Sequence, residues 1–219
     1  MTPCAAAVEI VVKACLETPH VAAYSNACGT TEARVAIAKY HSSSPEAHID
    51  PEDVIVTNGC SGALDLALSS LLDVGSILLV PRPGFPLYEE IAKSVGATVV
   101  HYYMKPERDW ECDLEHLESI MPSLQNVRAM VINNPGASTG SVFSENHLSE
   151  IVNFANMHHL PIISDEIYGD LTFRSNRFIP MAQIAARMGH QVPVMTASGI
   201  SKQFLLPGWR VGWLTFHDK

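Results

Sequence analysis

VIVTNGCSGALDLALSSLL, residues 54–72, is the stretch on which the fold turns. VIVTNG (54–59) is short, apolar and β-branched, which is the make-up of a buried strand. ALDLALSSLL then sets Leu64, Leu68, Leu71 and Leu72 on one helical stripe. A strand that passes straight into a helix sets the pattern for the rest of the chain. Towards the C-terminus, ILLVPRP (77–83) is the next strand. PLYEEIAKSVG is a helix with Leu87, Ile91 and Val95 aligned and Gly96 as its cap. ATVVHYYM is a strand and DLEHLESIM a short helix. AMVINNP (129–135) is a strand, and GASTGS a turn. SENHLSEIVNFANMHH is a helix with Ser144 as N-cap and Leu148, Ile151, Val152 and Ala155 facing inward. PIISDEIY is a strand, IPMAQIAARMG a helix ending at Gly189, and PVMTASGIS and RVGWLTFH are the last two strands.

Towards the N-terminus the character changes. Residues 3–17 read as a helix, with Pro3 tolerated in its first turn. TPHVAAYSNACG is a loop, and TTEARVAIAKYH a helix that Pro45 closes off. Residues 1–50 are therefore a helical segment leading into the alternating region. Seven strand candidates alternating with helices predict an α/β fold: a mainly parallel seven-stranded sheet with helices on both faces.

Composition narrows the function classes. With 219 residues, 47% of them hydrophobic, the chain can bury one sizeable core. A net charge of −9 with no Lys/Arg-rich run argues against a nucleic-acid partner. No apolar run reaches the roughly 18 residues of a membrane span. The five cysteines are scattered, odd in number and without a Cys-x-x-Cys, so reduced thiols are expected, without disulfides or a zinc site. The N-terminal run carries Glu9 and Lys13 and lacks a basic lead, so it reads as a helix and not a signal peptide. The expected compartment is the cytoplasm, with mitochondria left open.

An open α/β sheet binds ligands at the carboxyl ends of its strands, and polar residues collect there. Asn58-Gly59-Cys60-Ser61-Gly62 can cradle a phosphate, because the glycines admit close approach and a helix N-terminus follows; the same string also describes a tight strand-to-helix turn. Phe85 sits in the rigid loop PRPGFP, as a flat ligand contact or a core aromatic. Asp165 falls among buried neighbours on PIISDEIY, and a buried carboxylate needs a cation or several donors; a strand-end helix cap is the other reading. A unit-charge pair at about 4 Å in an effective dielectric of 20 is worth about 4 kcal/mol, some three pK units, enough to hold a ring nitrogen protonated. In SGISKQFLLPGWRVGW (198–213), Lys202 is either a surface lysine or a nucleophilic amine, and Arg210 suits a bidentate phosphate contact. An anion cradle, a flat aromatic, a buried carboxylate, a tyrosine, an amine and a guanidinium on one sheet edge match pyridoxal 5′-phosphate.

The strings VPRPGFPLYEE, WECDLEHLE, GSVFSENHL, SDEIYGDLTF and SKQFLLPGWRVGW resemble the large domain of pyridoxal-phosphate-dependent aminotransferases of classes I and II, and within them the tyrosine aminotransferases. The resemblance covers nearly the whole chain. It implies that Lys202 is the Schiff-base lysine, that Asp165 pairs with the pyridine nitrogen and that Tyr168 bonds the ring hydroxyl. It implies that Phe85 stacks on the ring and that Cys60, Ser61 and Arg210 hold the phosphate, with Ser198 or Ser201 assisting. It further implies that Tyr24 reaches the phosphate of a second subunit in a homodimer. The implied reaction is transamination between an aromatic, tyrosine-like amino acid and a 2-oxo acid. A carbon–sulfur lyase or aminocyclopropane-carboxylate synthase on the same scaffold is the alternative, as is a truncated, non-catalytic chain.

Two departures from the family pattern stand out. Where the family reads Asn-x-Pro-x-Asn-Pro-x-Gly, this chain reads Asn133-Asn134-Pro135-Gly136-Ala137-Ser138-Thr139-Gly140. Ala137 replaces the asparagine that contacts the ring hydroxyl and the substrate carboxylate, and Asn134 is the candidate substitute. The family also continues beyond position 219 into a small domain that carries the arginine for the substrate α-carboxylate. Residues 1–219 thus correspond to the cofactor-binding large domain.

Overall fold

The computed structural model describes residues 5–18, 21, 23–42, 44–173, 177–189 and 192–217. Two helices come first, α1 (Ala5–Glu17) and α2 (Thr31–His41). The alternating region follows as β1 (Val54–Asn58), α3 (Gly59–Leu71), β2 (Ile77–Arg82), α4 (Leu87–Ser94), β3 (Thr98–Lys105), β4 (Glu111–Cys112) and α5 (Leu114–Ile120). It continues as β5 (Val127–Asn133), α6 (Glu145–Met157), β6 (Ile162–Asp165), α7 (Met181–Met188), β7 (Val194–Gly199), α8 (Ile200–Gln203) and β8 (Val211–His217). No helix among the described residues is long and apolar enough to cross a membrane.

The expected α/β architecture is present, with one strand more than the seven expected. Among the described residues the sheet has eight strands, in the order β1-β8-β7-β6-β5-β2-β3-β4. The extra strand, β4, is two residues long and pairs antiparallel with β3 at one edge. Two residues are too few for any periodicity to reveal. The pairs β2·β3, β2·β5, β5·β6 and β6·β7 are parallel. β8 inserts antiparallel between β7 and β1, so β1 points the same way as β7. The unexpected helix α8 takes up the end of the segment read as strand PVMTASGIS.

Helices cover both faces, and the alternation along the strands shows why. Leu78, Val80, Ala129, Val131, Ile163 and Ala197 point to one side, onto Leu64 and Leu68 of α3 and Ile91 of α4. Leu79, Met130, Ile132, Ile162 and Val194 point to the other, onto Leu148, Ile151 and Val152 of α6 and Ile184 of α7. The path explains this division. The chain runs from β1 through β2 to β3 in one direction, then returns through β5, β6 and β7 in the other. Right-handed crossovers put helices on opposite faces when the direction reverses. A smaller cluster joins α2 to the β1 edge through Ile37, Ala38, Val54 and Trp213, and Trp213 Nε1 donates to His41 Nε2 at 2.7 Å. Helix α1 buries none of its residues, and Ile10, Val12 and Leu16 are exposed.

Candidate active site

Strand directions bring the site together. β1, β2, β5, β6 and β7 all end at one edge of the sheet, and β8, running the opposite way, begins there. The segments Asn58–Ser61, Arg82–Phe85, Asn133–Ala137, Asp165–Tyr168 and Gly199–Lys202 therefore meet the start of β8, just after Arg210. A cavity of about 220 Å³ lies at this edge. Cys60, Ser61, Phe85, Asp165, Tyr168, Ser201, Lys202 and Arg210 all line it. Eight of the ten residues expected at the site thus share one wall.

One end of the cavity is built for an anion. Helix α3 begins at Gly59, whose φ of +71° is a left-handed conformation that suits glycine. A Cβ there would lie 2.5 Å from Arg210 Nη2, so the missing side chain is what lets the guanidinium sit against the helix start. Gly212 gives the same freedom from the β8 side, since a Cβ on it would strike the backbone of Gly59 and Cys60. Arg210 itself lies at φ +52°, unusual for a side-chain-bearing residue. Its Nη1 donates to Pro207 O at 3.0 Å, which fixes the guanidinium. The first amides of a helix point outward unpaired and carry the positive end of its dipole, so a phosphate would find donors and positive charge together.

At the other end is Asp165, 4% exposed. Its Oδ2 accepts from Tyr88 Oη at 2.6 Å. Its Oδ1 accepts from Ile167 N at 3.3 Å and from Cys60 Sγ at 3.6 Å. Burial pushes its carboxyl above the ordinary value, and these three donors pull it back. No cation is among those partners, so a ligand bearing a protonated ring nitrogen would meet a buried carboxylate whose charge is otherwise held by neutral donors. Lys202 Nζ stands 5.3 Å from the centre of the Tyr168 ring, within cation–π range. Phe85, 43% exposed, turns an edge to Tyr88 with 5.8 Å between ring centres. The donor set fits a flat, phosphorylated ring carrying a basic nitrogen and a carbonyl.

Two expected residues stand elsewhere, and the two candidate serines face different cavities. Asn134 does not line the cavity: it is 2% exposed and its Oδ1 accepts from Phe143 N at 2.9 Å, capping the loop after β5. Neighbouring Asn133 is used in the same way, accepting from Ala137 N at 2.7 Å and donating to Asp165 O at 3.1 Å. Both asparagines satisfy backbone groups, and Ala137 presents only a methyl group to the cavity. Tyr24 is fully exposed and lies outside the cavity lining. Of the two serines, Ser201 lines the cavity, whereas Ser198 faces a second cavity of about 240 Å³ behind the 166–170 turn. At that second cavity Tyr40 Oη lies 2.6 Å from Asp170 Oδ2 and 3.1 Å from Gln203 Oε1, bracing the turn of α8 that carries Lys202.

Sequence reasoning passed over Tyr88. Nothing local in the sequence marks it: Tyr88 lies in the first turn of α4, and its partner Asp165 is 77 positions away.

A sheet edge with an anion cradle, a buried carboxylate and a facing lysine defines a ligand-binding edge of an α/β fold, and comparison with known proteins supplies the family. Residues 2–219 match the family of aminotransferases of class I and II, and the chain belongs to that family. It is 39% identical over 208 residues to tyrosine aminotransferase of Bos taurus, covering 95% of this chain and 45% of the relative. It is 42% identical over 196 residues to tyrosine aminotransferase of Dictyostelium discoideum, with 90% and 45% covered. Among solved structures, tyrosine aminotransferase from Leishmania infantum superposes with a TM-score of 0.92 at 31% identity, over 100% of this chain and 58% of that one. The chain spans just under half the length of these curated relatives.

Proposed function

We propose that this chain forms the cofactor-binding face of a pyridoxal-phosphate-dependent aminotransferase that exchanges an amino group between an aromatic, tyrosine-like amino acid and a 2-oxo acid. The observation that carries the reading is the convergence of Lys202, Asp165, Tyr168 and Arg210 on one cavity with the N-terminus of α3. When bound, pyridoxal phosphate supplies a carbonyl that condenses with amines and a protonated ring that draws electrons from the carbon being deprotonated. Arg210 and the first amides of α3 bind the phosphate. Asp165 holds the proton on the ring nitrogen. Phe85 and Ile167 line the cavity and would keep water from the ring. Tyr168 orients the ring through its hydroxyl. The Lys202 amine moves the proton from the substrate Cα, acting as base and then as acid.

Residues 1–219 are read as the large domain of that enzyme, working as a homodimer in the cytoplasm. Full exposure of Tyr24 supports the dimer, because a side chain reaching into another subunit's site must project from its own. The carbon–sulfur lyase reading shares every residue named here and is separated from transfer only by its product.

The test is reduction of the protein–cofactor mixture with borohydride, followed by peptide mapping. A pyridoxyl group on Lys202, lost in Lys202→Ala, is the expected outcome. A loaded Lys202→Ala with unchanged affinity, or no adduct in the parent chain, overturns the proposal and leaves the non-catalytic reading in its place. A 2-oxo acid product from tyrosine then identifies transfer, and an eliminated fragment identifies the lyase.

A further inference from the structure

Asp165 is held asymmetrically, and the asymmetry has one source. Oδ2 receives the 2.6 Å bond from Tyr88 Oη, whereas Oδ1 receives only the longer contacts from Ile167 N and Cys60 Sγ, at 3.3 and 3.6 Å. Hydrogen bonds to a charged acceptor are short and strong, so Tyr88 fixes the carboxylate's rotation and leaves Oδ1 as its less engaged oxygen. Tyr88 is 1% exposed, packed under Phe85, and absent from the cavity wall. Its hydroxyl can act on a ligand only through Asp165.

We propose that Tyr88 is the positioning residue of Asp165: its hydroxyl holds Oδ2, keeps the buried carboxyl ionised and presents Oδ1 to a protonated ring nitrogen. The role toward the cofactor rests on reading the cavity as a pyridoxal phosphate site. The proton stays on the tyrosine, because burial and the neighbouring Asp165 push the phenol well above its ordinary value. The other titratable groups facing Asp165 are Cys60 from α3, Glu166 just past the end of β6, and Tyr168, Lys202 and Arg210 across the cavity. Tyr102 lies behind Tyr88. Of these, only Tyr88 and Cys60 bond the carboxylate through their side chains, and the thiol is the weaker donor.

The experiment measures the Asp165 titration directly, by carboxyl-carbon NMR of the chain without cofactor, assigned with Asp165→Asn. Tyr88→Phe keeps the ring and its packing and removes one charge-assisted hydrogen bond. The Asp165 pKa is expected to rise by about one to two units. Placing 3-fluorotyrosine at position 88, a stronger donor of nearly the same shape, is expected to lower it. A purely structural role for Tyr88 predicts no such reversal of sign. An Asp165 value unmoved in both variants overturns the proposal. Should Tyr88→Phe fail to fold, the fluorotyrosine variant decides alone. Because no cofactor is present, this outcome is independent of whether Lys202 forms an adduct, and the two readings fail separately.

Discussion

Asp165 and Glu166 are adjacent buried carboxylates, each 4% exposed, that face opposite sides of the sheet. Asp165 points with Ile163 towards α3 and α4, and Glu166 towards α7. There Glu166 Oε1 accepts from Ser164 Oγ at 2.8 Å and Met181 N at 2.9 Å. Burial pushes its carboxyl up to about 7 from an ordinary 4.5, against those two hydrogen bonds. The folded chain therefore keeps a proton that the unfolded chain has released. The stability this contributes is complete below about pH 4.5 and is lost as pH rises through 7, a difference of about 3 kcal/mol. Glu166→Gln retains the oxygen acceptor and cannot ionise. Its melting temperature relative to the parent is expected to be unchanged near pH 4.5 and to grow towards pH 8; an equal difference at both ends contradicts this. At this scale the sequence was read unevenly. Asp165 was legible because period-two alternation put it among apolar neighbours. Asn134 was misassigned because a string of amides does not reveal which of them the loop backbone will claim. Tyr88 stayed hidden because its partner lies 77 positions away, and nothing local marks that contact.

At the scale of elements, the two glycines between α3 and β8 carry the anion cradle. The nearest atoms a Cβ on Gly212 would meet are backbone atoms of Gly59 and Cys60, which cannot rotate aside. Gly212→Ala is expected to cost about 3 kcal/mol, read as a lower urea midpoint at constant slope. It should also weaken phosphate-bearing ligands, because β8 can relieve the clash only by leaving the start of α3. Gly208→Ala is the control, since a Cβ there meets nothing within 4 Å, and it is expected to stay within about 0.5 kcal/mol of the parent. A Gly212→Ala variant as stable as Gly208→Ala would show that the cradle is not tightly packed. Strand positions were legible from apolar runs and helix starts from caps such as Ser144, whose Oγ accepts from His147 N at 3.2 Å. Strand direction was not. An apolar run looks the same whichever way its neighbour points, so the antiparallel insertion of β8 left no mark in the pattern.

Across the whole molecule, the cavity takes residues from α3, the end of β6, α8 and the segments that follow β2 and β5 and precede β8, so ligand binding is coupled to several strands of the sheet and not to a local loop. A ligand bound only by the folded state adds RT ln(1 + [L]/Kd), about 2.7 kcal/mol at one hundred times Kd. For a chain of this size that is about 5–10 °C in melting temperature. Pyridoxal phosphate is expected to produce a shift of this order, and Arg210→Ala to reduce it at the same concentration. An identical shift in the two proteins would remove Arg210 from the phosphate site. The α/β class and both helical faces were legible from strand–helix alternation because each crossover is local. The gathering of the site at one edge depends on strand order, which brings together residues as distant as Cys60 and Arg210.

β1 lies at the sheet edge, and among the described residues β8 is its only strand neighbour. On the ribosome, residues 54–58 emerge some 150 positions before the strand that will receive them. Until then VIVT is an unpaired apolar edge, of the kind that recruits chaperones or sticks to another nascent chain. A nascent chain that has emerged as far as β7 but not β8 therefore has most of its sheet made, its first strand still searching, and Arg210 not yet in reach of the helix it completes.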